Sequence, residues 1–346
     1  MGLWCLGSFR NDTRALTGDI FAAMIGSAAT RTRLALVTAG LCLGACRQNP
    51  QDAPGAAATP DGLPYDRALA RMAAADSFNG SVLVALPDTV FEQTYRAASA
   101  PEGMHTASNY RYPIGEVAQL LLRAAYFRLA DRGRLNLNTA VGRYLPDLPQ
   151  GDVVNFRMLL DHRGGLPGVL PQGVPVANVQ YLSQPGTEEH YSALGYEMLA
   201  AALARITGTS PEEVIRVQVL EPAGMTNTGV LTTDDPPGVL AAGYSDITGT
   251  LRPVPLAEFP ETIARTDAAG ALATFPEYYS TIADLFYLAQ YMPESGFLRG
   301  ELRQPGVRPG YRSYFYASLE PERTVVVLSN DEAVALPAVV GALERR

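Results

Sequence analysis

Residues 112 to 146, YPIGEVAQLLLRAAYFRLADRGRLNLNTAVGRYLP, constrain the fold of this chain more than any other stretch. After a turn at Pro113-Ile114-Gly115, Val117, Leu120, Leu121, Leu122, Ala124, Ala125, Tyr126, Phe127 and Leu129 leave almost no polar face before Arg128 and Arg132. An apolar segment of this length with no wet side is a helix that protein must wrap on most sides. Gly133 stops it, with Arg128 and Arg132 in the last turn where cations suit the helix dipole. Glu116 and Gln119 stand at its opening, three residues apart and therefore on one face, as side chains at the mouth of a cleft would.

A helix like this needs a large core around it, and 346 residues at 47% hydrophobic content supply one. The formal charge of -8 disfavours nucleic acid and anionic lipid as electrostatic partners. All 27 basic residues are Arg, and Lys does not occur. Any chemistry that needs a lysine amine is therefore closed to the chain.

The N-terminus reads as targeting sequence. Arg31 and Arg33 precede a short apolar run that ends Leu43-Gly44-Ala45-Cys46, too short to span a bilayer. That ending resembles the lipobox of bacterial lipoproteins, whose Cys is acylated and becomes the mature N-terminus. The expected organisation is a signal segment over 1–45, with Met24 the more natural start, and a flexible stalk over 46–62. A folded domain over 63–346 follows, carrying a helical insert at about 112–230. The anchor at Cys46 places the domain at the bacterial cell envelope, on the periplasmic side.

Within the domain, Tyr65 to Ala75 reads as an amphipathic helix, and 78–85 with 90–95 as a β-hairpin. Helices are expected at 158–162, 191–206, from Ser210 to Leu220, and from Ser280 to Tyr291. Strands at 311–318 and 324–329 precede a terminal helix from Ala333. Strands at both ends with helices between give an α+β fold: an antiparallel sheet built from both chain ends, flanked by helices, with an inserted mainly helical region. Met292 to Arg308 reads as a short loop.

Several motifs in a fixed order carry a family resemblance. They are Tyr112-Pro113-Ile114-Gly115, Gly133-Arg134-Leu135-Asn136-Leu137, Leu159 through Pro167 (LLDHRGGLP), Pro185-Gly186-Thr187, Tyr191 through Tyr196 (YSALGY), Glu221 through Thr228 (EPAGMTNT) and Pro309-Gly310-Tyr311. Together they resemble the β-lactamase-related serine hydrolases, which include class C β-lactamases, D-alanyl-D-alanine carboxypeptidases and esterases of the penicillin-binding-protein fold. The resemblance implies a Ser nucleophile at the start of the buried helix, a Lys three residues on, a Tyr-x-Asn on the facing loop and a His-x-Gly on an edge strand.

This chain departs from that pattern. Glu116 stands where the Ser belongs and Gln119 where the Lys belongs; Tyr191 keeps its place, Ala193 replaces the Asn, and Gln304-Pro305-Gly306 keeps only the Gly. No catalytic residues are expected, and Glu116, Gln119, Tyr191, Ala193, Gln304 and Gly306 are vestigial pocket positions. Glu116 reads either as a helix-start stabiliser or, with Gln119 and Tyr191, as part of a small polar binding site. His162 reads as a histidine satisfied within its turn. No metal or cofactor is implied. The expected partners are a peptidoglycan peptide or an envelope protein, the membrane through the lipid anchor, and no nucleic acid. The rival reading is an active, divergent serine hydrolase with an unrecognised nucleophile.

Overall fold

The computed structural model describes residues 64–344 except 98–99, 101, 103–105, 172, 233–239, 247–250, 256–274, 293–296 and 299. The signal segment, the stalk, Cys46 and His105 lie outside the described residues. Helix α1 (Pro64–Ala74) leads into β1 (Gly80–Leu86) and β2 (Thr89–Tyr95). In β1, GSVLVAL, six consecutive residues are buried, because the strand lies between two cores. Val82 and Val84 turn to one face, where Tyr65, Leu69, Val339 and Leu343 pack; Leu83 and Ala85 turn to the other, against the helical region. Period-two alternation explains the split, and burial on both faces explains the apolar run Val82–Ala85; the one polar residue of the buried stretch, Ser81, is bonded to Thr94 and Tyr112.

After β3 (Tyr112–Pro113) and a 3-10 turn (Gly115–Ala118) comes α2 (Gln119–Asp131), the wrapped helix, with nine of its residues buried. Gly133, at φ 67°, ends it with its own N–H on Ala130 O (2.9 Å), while Arg134 N–H reaches Leu129 O (2.9 Å). These two bonds satisfy the last carbonyls in the way a left-handed glycine allows. Around α2 lie α3 (Phe156–Leu160), α4 (Ala193–Thr207) and α5 (Pro211–Ile215), the last continuing through a π turn (Arg216–Leu220). Buried Tyr126 donates to Leu199 O at 2.7 Å, and Arg123 clamps the end of α3 through Leu160 O (2.6 Å) and Asp161 (2.8 Å).

Short strands β4 (Gly229–Val230), β5 (Gly243–Asp246), β6 (Leu251–Val254) and β7 (Tyr278–Ser280) lead to α6 (Ile282–Tyr291). Strands β8 (Glu301–Arg308), β9 (Tyr311–Leu319) and β10 (Glu322–Ser329) and helix α7 (Leu336–Glu344) close the domain. The main sheet runs β2-β1-β10-β9-β8, with Val82 opposite Val327 and Gln304 opposite Phe315. It is antiparallel throughout and built from both chain ends, with α1 and α7 on one face and the helical region on the other.

Three segments differ from the sequence reading. Pro113, read as opening a turn with Ile114 and Gly115, instead ends a short strand, Tyr112–Pro113, paired with β7, and Ser280 closes β7 instead of opening the helix. Thr281 caps α6 in its stead, its Oγ1 accepting from Asp284 N at 3.1 Å. Residues 301–308 form β8 and not part of a loop. Its sequence, ELRQPGVR, hides the alternation: Gln304 and Gly306 are buried while Glu301, Arg303, Pro305 and Val307 are exposed. Pro305 is tolerated because β8 is an edge strand, where a missing N–H breaks no ladder.

Leu122→Ala, at a fully buried position of α2, should lower stability by about 2–5 kcal/mol in urea unfolding, because the surrounding helices cannot collapse onto the void. A loss below about 1 kcal/mol would mean that the helix is not packed on all sides.

Candidate functional site

The mouth of α2 and the edge of the main sheet meet main chain to main chain. Gly115 adopts φ 51°, and a Cβ there would lie 2.9 Å from Val307 N and 3.0 Å from Val307 O. A Cβ on Gly306 would overlap Ile114 O and Ser313 Oγ and sit 3.2 Å from Glu116 N. Only glycine fits at either place. Ser313 Oγ, buried on β9, donates to Ile114 O at 2.7 Å and fastens the contact from behind.

Into this junction Glu116 folds its carboxylate: Oε2 accepts the Val307 N–H at 2.7 Å. That N–H points away from β9, so the carboxylate caps the open edge of β8 much as a backbone carbonyl would. One turn on, Gln119 is 5% exposed and donates from Nε2 to Tyr191 Oη at 3.0 Å. Its Oε1 is buried and has no partner among the described residues. A buried acceptor left in that state costs about 1–3 kcal/mol. The Tyr191 ring is half-exposed at the rim, with its hydroxyl turned inward. Burial pushes that hydroxyl up to about 12, and the nearby Glu116 charge adds to the rise.

A cation closes the set. Arg308 shares the inward side of β8 with Gln304 and Gly306, and its Nε donates to Glu277 Oε2 at 2.6 Å. Burial lowers its guanidinium, while Glu116 and Tyr191 act in the opposite sense. Arg308 therefore faces the same polar mouth while committed to Glu277.

Of the sequence-predicted positions, Glu116, Gln119, Tyr191 and Gly306 come together here. Gln304 does not join them, because its Nε2 turns back to Pro305 O at 3.1 Å. Ala193 opens α4 with a methyl group and brings no polar atom. The serines nearby are held in structural bonds. Ser192 caps α4, its Oγ accepting from Gly195 N (3.0 Å) and donating to Pro167 O (2.7 Å), and Ser313 is held by Ile114. Among the described residues no group of His, Cys, Asp and Glu could hold a metal ion.

His162 supports the facing loop from below. Its Nδ1 accepts from Ser192 N at 3.2 Å, and its ring packs 4.9 Å from Tyr191 and 5.1 Å from Tyr196. Burial, followed by the Arg123 charge, lowers its pKa to about 4. The neutral ring is what the Ser192 bond requires, since a protonated Nδ1 could not accept. Sequence reasoning missed Arg308, Glu277 and Val307 as members of the mouth. The first two lie 31 residues apart, and the third acts through its backbone, so no local pattern marks them.

This arrangement defines a β-lactamase/transpeptidase-like fold with its cleft at the junction of α2 and β8. The Beta-lactamase family profile matches residues 66–343, and the chain belongs to that family. PbpX of Bacillus subtilis (strain 168), named for the penicillin-binding proteins, is 27% identical over 140 residues, covering 38% of this chain and 36% of that protein. Protein flp of Staphylococcus aureus (strain N315) is 24% identical over 184 residues, covering 47% and 37%. The matches thus span little more than a third of these curated relatives. Among solved structures, the hydrolase EstCE1 aligns with a TM-score of 0.64 at 19% identity, over 81% of this chain and 98% of that one. A class C β-lactamase aligns at 0.61 and 15%, over 81% and 95%.

The lowered pKa of His162 has a defined sign. The unfolded chain takes up the proton near the ordinary 6.5, the folded chain only near 4, so this group's stabilising contribution is complete above pH 6.5 and is lost as pH falls to 4. The loss should reach about 3 kcal/mol. His162 has φ 53°, so His162→Asn, which tolerates that backbone, should flatten this part of the stability–pH curve. Parallel curves for the two proteins would show that His162 does not titrate as described.

Proposed function

We propose that this chain is a catalytically silent member of its family that binds at the cell envelope instead of hydrolysing. The observation that carries the reading is the Glu116 carboxylate on the Val307 N–H at 2.7 Å, at the helix mouth where the family resemblance calls for a serine. A carboxylate there has no proton to lose and no activating base beside it, because Gln119 stands one turn on and its amide is neutral. Lys is absent from the chain, and Arg, which stays protonated, cannot replace it as a base. The structural commitments of Ser192 and Ser313 support the same reading. Penicillin binding, for which PbpX is named, and hydrolysis, for which EstCE1 is named, belong to those proteins.

Purified protein exposed to a fluorescent penicillin and to a fluorophosphonate should show no added mass on intact-mass analysis. A stoichiometric adduct mapped to a serine would overturn the proposal and favour the active serine hydrolase.

The second part of the proposal is the tether. Cys46, at the end of Leu43-Gly44-Ala45-Cys46, is read as the acylated residue that holds the domain at the periplasmic side of the envelope. Among the described residues no helix is long and apolar enough to cross a membrane. In cell fractionation the wild type should sediment with membranes and Cys46→Ser should be released. Equal membrane association of the two would remove the lipid anchor from the reading.

A further inference from the structure

Resting on the reading of the cleft as a binding site, we propose that the mouth of α2 takes a primary ammonium group. Three acceptors meet there. Glu116 spends one carboxylate oxygen on Val307 N–H, and its other oxygen has no hydrogen-bond partner among the described residues. Gln119 Oε1 is buried without a donor, and Tyr191 Oη already receives the Gln119 Nε2–H, leaving a further lone pair. Val307 N and one Gln119 Nε2–H are engaged, which leaves the second Nε2–H and the Tyr191 proton as neutral donors of the mouth.

Charge points the same way. Arg308 is the cation that faces the mouth, and Glu277 pairs with it in a part-buried ion pair. Arg308 also feels the Glu116 charge, and the two carboxylates with one guanidinium leave the cluster one net negative charge. A ligand carboxylate would meet Glu116 head on and would find the Val307 N–H already taken. An ammonium ion brings three donors and one positive charge to a mouth that holds free acceptors and one net negative charge. The half-exposed Tyr191 ring adds an aromatic surface beside it.

The test uses the full chain, 15N-labelled, titrated with benzylammonium, benzyl alcohol and benzoate, which share a ring and differ in the head group. The reporters are the Gln119 side-chain amide and the Val307 backbone amide. Benzylammonium should bind at least about ten-fold more tightly than either of the others. Glu116→Gln, which retains an oxygen for Val307 N–H and removes the charge, should abolish that preference. Benzoate binding as tightly as benzylammonium, no response to any probe, or a preference that survives Glu116→Gln would each overturn the proposal. The readout is independent of acylation: a serine adduct in the penicillin assay would sink the silent reading alone, and loss of ammonium selectivity without an adduct would sink this one alone.

Discussion

The close approach of α2 to the edge of the main sheet is the constraint on which the rest of the cleft depends. Gly115 and Gly306 lie so near each other's backbones that neither tolerates a Cβ, and the Ser313 hydroxyl ties the junction from the core side. Helix and sheet belong to distant parts of the chain, so this contact fixes the geometry of every residue at the mouth. Glu116 adds a charge-assisted hydrogen bond across the same gap, an interaction of about 1.5–3 kcal/mol. One side chain thus joins the two halves of the domain at the mouth of α2.

The wrapping of α2 follows from its composition, but its rigidity follows from polar clamps at its flanks. Arg123 holds the end of α3, and Tyr126 holds α4 through Leu199 O. The loop bearing Tyr191 is then propped by a neutral His162 between two tyrosine rings. A mouth held this firmly is pre-organised, so a ligand meets Gln119 and Tyr191 already bonded to each other and need not order them.

Much of this was legible in the sequence, for identifiable reasons. The apolar run of α2 and the glycine after it gave the helix and its end, and the strands at 78–85 and 90–95 gave the β1–β2 hairpin. The ordered motifs pointed to Glu116, Gln119, Tyr191 and Gly306, which do converge. β8 was hidden because Glu301, Arg303, Pro305 and Gly306 lower strand propensity, and only pairing with β9 along its whole length makes it a strand. Gln304 was misplaced for a related reason: position on a strand fixes which face a side chain leaves from, not which partner it finds, and its amide finds Pro305 O. The Arg308–Glu277 pair was invisible because its members meet only after the sheet is assembled.

The edge of β8 also bears on what the cleft can hold. An extended peptide adds to a sheet by trading backbone hydrogen bonds with alternate residues of the edge strand. Along β8 the outward-facing residues are those in step with Val307, namely Pro305, Arg303 and Glu301. Pro305 has no N–H to offer, and the Val307 N–H is held by Glu116. Two successive donor positions beside the mouth are therefore lost, one by covalent structure and one by an internal carboxylate. Strand addition next to α2 is blocked without any loss of the sheet itself. What remains open at the mouth is side-chain chemistry: the Glu116 carboxylate, the Gln119 amide and the Tyr191 hydroxyl beside the Arg308–Glu277 pair.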